Sequence, residues 1–289
     1  MPYEEFCADT YNRIYNDEYI RILNGRTSEN ANKSAERDAQ KIAIKNTLIQ
    51  ALNEYTPIHE ASDIWKAIYV AHLKRKVGIA DLNTIDEGVI SSVISADQSW
   101  KKASGHAFEA FIYEVANPLL APQNIQFVLQ TKLTHMIHNN EINNDHIDLE
   151  WLNRRIHTDV FDLYAVVSRL NRNYVFGCIQ SKTSIRDRVT RDREPSRQAM
   201  GASFWSIAVA LDGAFLAQPK FQEMVNGGGT DYELNGWHGL YVMSDRYAND
   251  RIYSVNRELD LLVQHAQSAA ETWMSARNRF DSTWYPRIY

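Results

Sequence analysis

Apolar positions in the first hundred residues recur at helical spacing. Residues 35–53 contain neither Gly nor Pro and carry Ile42, Ile44, Leu48 and Leu52, which predicts a helix that Pro57 ends. Residues 64–75 read as another helix, and 78–88 as a loop between two glycines. From residue 99 to 117 the stripe Phe108, Phe111, Ile112 and Val115 predicts a further helix, stopped by Pro118. The period then changes. Residues 125–133 read as a strand, and the polar, Asn-rich 138–148 as a loop. Residues 162–168 (DLYAVVS) and 174–180 (YVFGCIQ) are short runs rich in β-branched and aromatic residues. The turn-like Leu170-Asn171-Arg172-Asn173 joins them, so the pair predicts an antiparallel hairpin. Pro195 suits a helix start, and 196–211 reads as a largely buried helix. Gly227 to Gly229 predicts a flexible loop, 239–243 a strand, and 257–280 a long C-terminal helix. Together these elements predict an α/β domain over 101–289 behind a helical region over 1–100.

Composition narrows the picture. Of the 289 residues, 44% are hydrophobic and 23% charged, as in an ordinary soluble globular protein. Cys7 and Cys178 cannot form a disulfide framework or a zinc site, which points to a reducing compartment. The acidic start MPYEEFCADTYNRIY has no apolar stretch and does not read as a signal peptide, so a cytoplasmic location is expected. The net charge of −5 argues against a generally basic nucleic-acid binder. One segment departs from it. Between residues 182 and 197, Lys182, Arg186, Arg188, Arg191, Arg193 and Arg197 face only Asp187, Asp192 and Glu194, six positive charges against three.

This segment leaves the predicted hairpin. Asp159 and Asp162 stand where its first strand starts, and Gln180-Ser181-Lys182 where its second ends. With the turn centred near Leu170–Asn171, Asp159 falls opposite Lys182, and Gln180 and Lys182 share one strand face. A carboxylate and an ammonium converging there suit phosphodiester hydrolysis. The carboxylate holds Mg²⁺, which needs only one or two such ligands, and the lysine orients water or offsets charge on the phosphate. Other features carry less. His135, His138, His146 and His157 lack metal-site spacing, and the Gly227 loop lacks the Lys-Ser/Thr of a phosphate loop. Trp205, Trp237, Trp273 and Trp284 read as core or interface residues.

The run Lys182-Thr183-Ser184-Ile185-Arg186-Asp187-Arg188 fills every fixed position of Lys-x-Ser/Thr-x-Arg-Asp/Glu-Arg. In this it resembles type II restriction endonucleases of the PD-(D/E)xK fold, in the BsaWI-like branch that recognises CCGG or CCNGG sites. The strict match spans seven residues, and the supporting arrangement runs from Gly105 to Glu194. The resemblance implies a mixed sheet flanked by helices, Mg²⁺ as cofactor and double-stranded DNA as substrate. It further implies a homodimer, or a tetramer, joined through the C-terminal helix, and cleavage that leaves 5′ overhangs. Lys182 matches the catalytic lysine. Asp159 matches the metal-binding aspartate, though Thr158 stands where the family often has Pro and Asp162 competes for the role. Gln180 occupies the position of the usual second acid. The branch supplies that acid from a following helix, for which Glu194, twelve residues after Lys182, is the candidate. Glu109 fits a glutamate that an early helix often places near the metal. Arg186, Asp187 and Arg188 match the triplet that reads CC–GG edges. Arginine suits guanine O6 and N7, and a carboxylate suits cytosine N4, each good pair discriminating by about 1–3 kcal/mol. The alternatives are a structure-specific repair nuclease of the same fold, a DNA-binding protein with a dead site, and a helical interaction protein.

Overall fold

The computed structural model describes residues 1–55, 60–78, 87–158, 160–183, 189–277 and 280–286. The chain divides into two compact units, Met1–Phe111 and Ile112–Tyr289.

The first unit is helical, as the apolar periodicity predicts. It contains α1 (Tyr3–Leu23), α2 (Glu29–Tyr55), α3 (Ala61–Val77) and most of α4 (Glu87–Leu120). Its core sets small against large side chains: Ala39, Ala43 and Ala96 beside Tyr11, Trp65, Ile68 and Trp100. Close alanine contacts let the helices approach while the rings fill the remaining volume. α3 ends where Gly78 turns left-handed at φ 69° and donates its N–H to Lys74 O at 3.0 Å. Of the loop expected at 78–88, Gly78 closes α3 and residues 87 and 88 already belong to α4; Pro57 and residues 79–86 lie outside the described residues. Pro118 does not stop α4 but sits within its last turn.

The second unit is built on a six-stranded mixed sheet in the order β1-β2-β3-β4-β5-β6. The strands are β1 (Ile125–Leu129), β2 (Leu163–Arg169), β3 (Arg172–Lys182), β4 (Trp205–Ala210), β5 (Gly239–Val242) and β6 (Ile252–Ser254). β1, β2 and β3 pair antiparallel, and β3 through β6 pair parallel. The helices are α5 (Gln130–His138), α6 (His146–Ile156), α7 (Val189–Gly201), α8 (Pro219–Asn226) and α9 (Asp260–Ala276). This is the mixed sheet flanked by helices that the family resemblance implies.

The β2–β3 hairpin turns through Leu170 and Asn171, at φ 52° and 59°. Two positive φ values in a two-residue connection match the twist of the flanking strands. A bulge between Ala165 and Val166 shifts the register by one, so Leu163 pairs with Ile179. Opposite the bulge, a Cβ on Gly177 would lie 3.0 Å from the Trp205 ring and 3.1 Å from Ala165 Cβ. Only glycine lets β3 approach both neighbours there.

The helix expected over 196–211 is corrected. α7 starts at Val189, carries Pro195 inside it and ends at Gly201; Trp205–Ala210 is strand β4. β4 lies between two parallel neighbours and is buried on both faces, so its sequence is continuously apolar rather than alternating. A run of that kind has no period that separates strand from buried helix. The expected strand 125–133 likewise stops at Leu129, where α5 takes over.

The two faces of the sheet carry different partners. Phe176 stacks on Trp205, Trp205 meets Tyr241, and Tyr241 hydrogen-bonds His265 of α9 at 2.8 Å. The opposite face presents Gln180 and Lys182 of β3 to α7, while Ala208, Ala210, Leu240 and Val242 pack with Met224 and Val225 of α8.

Candidate active site

In open α/β sheets ligands are bound at the C-terminal ends of the parallel strands, and the end of β3 is such a position. Three charged side chains meet there. Lys182, the last residue of β3, places Nζ 3.8 Å from Asp162 Oδ2 and 3.4 Å from Asp192 Oδ2. Their side chains are 13%, 21% and 17% exposed, so each charge is largely withdrawn from water.

Each member is held by local structure. Asp162 immediately precedes β2; its N–H donates to Ile179 O at 3.0 Å, and its Oδ2 accepts Ser181 N–H at 2.6 Å. The hairpin thus fixes Asp162 beside the end of β3. Lys182 shares a strand face with Gln180, which is fully buried. Gln180 Nε2 donates to Asp192 O at 3.0 Å, and its Oε1 accepts from Trp237 Nε1 at 2.8 Å. One amide therefore joins β3, α7 and the segment before β5.

α7 determines which of its acids faces the lysine. Residues two apart on an α-helix are about 200° apart around its axis. Ser196, four residues after Asp192, is buried and bonds Ser206 of β4 at 2.7 Å, and Ala199 is buried as well. Asp192 lies on this inner face. Glu194 lies on the outer face, exposed, and accepts from Gln198 Nε2 at 3.0 Å. Sequence reasoning named Glu194 and passed over Asp192. The signal that could have found it is the 192, 196, 199 spacing, once the helix start is known.

Glu109 belongs to the first compact unit, where its carboxylate meets His106 Nδ1 at 3.2 Å. Asp159, Arg186, Asp187 and Arg188 lie outside the described residues. Within the basic run, Arg193 is an anchor: its Nε donates to Met224 O at 3.2 Å and its head lies 4.9 Å from the Tyr232 ring centre. Burial lowers its pKa. Trp205, Trp237, Trp273 and Trp284 are buried.

The donor set suits a hard divalent cation. Asp192 Oδ2 is buried and has no hydrogen-bond partner, its nearest charge being Lys182 Nζ at 3.4 Å, so the carboxylate keeps acceptor capacity. Asp162 supplies a second carboxylate, and Mg²⁺ asks for no more than one or two. Among the described residues no cluster of three or more His, Cys, Asp or Glu could hold a metal, and the four loosely spaced histidines are exposed. Thiol chemistry is poorly served: burial pushes the Cys7 pKa up to about 12 and raises that of Cys178 well above its usual value. Among the described residues no helix is long and apolar enough to cross a membrane.

The profile of the family described as BsaWI restriction endonuclease type 2 matches residues 139–279. A structure described as the crystal structure of pre-specific restriction endonuclease BsaWI–DNA complex is 48% identical, covers 100% of both chains and has a TM-score of 0.68. A structure of a specific restriction endonuclease AgeI–DNA complex is 20% identical over 90% of this chain and 91% of that one. Its TM-score of 0.55 makes it a likeness of fold. No curated protein matches the chain. Full-length identity of this degree, with the lysine at the end of β3 and two carboxylates beside it, places the chain in the BsaWI family of type II restriction endonucleases.

Proposed function

We propose that the chain cuts double-stranded DNA in a Mg²⁺-dependent reaction, at palindromes with a CCGG or CCNGG core, and leaves 5′ overhangs. The meeting of Asp162, Lys182 and Asp192 at the end of β3 carries this reading. Asp162 and Asp192 are the residues that would hold the cation; Asp159, Glu194 and Glu109 stay as the alternatives given by the resemblance. A cation there would polarise a phosphoryl oxygen and acidify a water. Lys182, fixed at the strand end between two carboxylates, presents its N–H donors to the attacking water and offsets charge that builds on the phosphate oxygens. Water's oxygen forms the new bond to phosphorus and gives up a proton to bulk solvent, the bond to the leaving sugar oxygen breaks, and that oxygen takes a proton from solvent. Gln180 contributes no charge; it holds the helix that brings Asp192 to the lysine.

Arg186, Asp187 and Arg188 are proposed to read the CC–GG edges in the major groove, four residues beyond Lys182, so that recognition is coupled in space to cutting. A homodimer, assembled through α9, supplies the two sites that a palindrome requires, and a tetramer is the next assembly to test. The enzyme would act in the cytoplasm, where its two buried thiols stay reduced.

Digestion of phage DNA with purified protein, with and without Mg²⁺, followed by sequencing of the cut ends, tests this reading. Discrete Mg²⁺-dependent fragments sharing a CC–GG core are expected. Cutting without sequence preference would favour a structure-specific nuclease. Binding in Ca²⁺ with no cutting in Mg²⁺ or Mn²⁺ would favour a dead site.

A further inference from the structure

The helical unit carries a basic groove that the active site does not use. It is about 560 Å³ in volume, and Lys33, Arg37, Lys41, Lys76 and Lys102 line it against the single carboxylate of Glu36. The chain as a whole is negative, at −5, so this concentration of cations is local.

The cations are arranged in a row. Lys33, Arg37 and Lys41 follow one another on α2 at four-residue intervals, which puts them on one helix face about 6 Å apart. Glu36 is neutralised by an ion pair with Lys76, and Lys33 pairs with Glu29 at 2.5 Å. Arg37 makes only a loose contact of 3.6 Å with its neighbour Asp38. Lys41 and Lys102 form no ion pair among the described residues. The floor is polar as well: Gln40 is buried and accepts from Ser99 Oγ at 2.7 Å.

Arg37, Lys41 and Lys102 are the cations of the groove with least local compensation, and a bound polyanion would offset their mutual repulsion. A row about 12 Å long, open along its length, suits a repeating anion better than one phosphate ion. We infer that this groove binds the phosphate backbone of duplex DNA without reading its bases, as a holding surface on the helical unit. The inference rests on the endonuclease reading, which supplies duplex DNA as the natural polyanion.

The test uses the full-length protein and the double variant Lys41→Ala/Lys102→Ala, both of whose side chains reach solvent. Binding to a non-cognate duplex is followed by fluorescence anisotropy in Ca²⁺ from about 50 to about 200 mM salt. Removing one lysine–phosphate pair lowers the slope of log K against log salt by about 0.9, so the double variant is expected to drop about 2 units of slope and to bind about tenfold more weakly. Cleavage of a cognate duplex at saturating enzyme should be unchanged. If the wild type binds and cuts but the variant keeps the full slope, the groove assignment is overturned and the endonuclease reading stands. If the wild type neither binds nor cuts any duplex, both fall. Polyglutamate binding as tightly as duplex through the same two lysines would overturn the nucleic-acid assignment alone.

Discussion

Replacing Gln180 by Glu restores the acid that the PD-(D/E)xK pattern places two residues before its lysine, yet the structure predicts damage rather than gain. Gln180 is fully buried and uses both ends of its amide: Oε1 accepts from Trp237 Nε1, and Nε2 donates to Asp192 O. A carboxylate keeps the first bond. At the second it sets an anion against a carbonyl oxygen at 3.0 Å, where only a donor fits. The buried acid escapes by staying protonated, since neutral Glu can donate to Asp192 O much as Gln does. Fully buried carboxyls are raised by about 3 units or more, and each unit corresponds to about 1.4 kcal/mol.

The sign follows from linkage. With its folded pKa above the unfolded value, the native variant binds more protons, so stability relative to wild type falls as pH rises from about 4.3 through the raised pKa. At pH 8 the cost reaches about 4 kcal/mol, or roughly 8–16 °C in Tm for a unit of this size. Melting curves of Gln180→Glu and wild type at pH 5 and pH 8, with cleavage measured beside them, read this directly. The difference in Tm should be small at the lower pH and large at the higher, with cleavage reduced where α7 is loosened. A variant that melts within a degree of wild type at pH 8 and cuts at full rate would refute the bridging role of the amide.

Asp192→Asn should cut kcat by about 10²–10³, the usual cost of removing one charge-placing group from such a site, while Glu194→Gln stays within about twofold. The reverse ranking, from steady-state cleavage of a cognate duplex, would move the acid to Glu194. Stability should fall as pH drops from about 6.5 to about 4. Burial holds His238 and His265 neutral, with pKa lowered to about 4, so the unfolded chain takes up protons first. Each is worth about 2 kcal/mol at pH 5. Urea melts at pH 7.5 and 5.0 read the loss, and His265→Phe should shed its share of the slope; a flat profile in the wild type rejects the account. Leu170 is 93% exposed yet held at φ 52°, a conformation that costs a branched residue about 1 kcal/mol. Leu170→Asn should therefore raise Tm by about 2–4 °C with cleavage unchanged, and a lower Tm would show that the leucine stabilises the turn in another way.

The parts of the fold legible in the sequence were those with a single buried face. α2 exposes one side, so its apolar positions repeat at helical spacing, and the β2–β3 hairpin is marked by Asn171 where a left-handed turn is needed. β4 gave no such signal because parallel neighbours and helices cover it on every side. Lys182 was singled out by the family motif it opens, and the structure places it at the end of β3 beside Asp162 and Asp192, where its catalytic role is proposed. The acid of α7 that lies beside it was not legible in the sequence. Whether Asp192 or Glu194 faces inward depends on the phase of α7, which starts six residues before Pro195, and no local residue pattern announces that start.

The change at position 180 and the acid at position 192 are physically one feature. An acid at 180 would serve a cation from the strand itself, and α7 could then sit at any angle that kept its apolar residues covered. With Gln180 the strand offers no acid; on the proposed reading the carboxylate comes from the helix, which must then be held in rotation as well as in position. Apolar packing of Ala199 and Met200 fixes distance but resists rotation weakly. A hydrogen bond from Gln180 to the main chain of Asp192, with Ser196 bonded to Ser206 one turn later, defines the phase at two points on the same face. Because the first bond is made to the peptide of the very residue that provides the acid, little error accumulates between the anchor and the carboxylate. Trp237 then locks the amide from the other side and sets which end is the donor. A strand that gives up its own acid in this way needs a side chain that can accept and donate at once, and glutamine at 180 meets that need where glutamate does not.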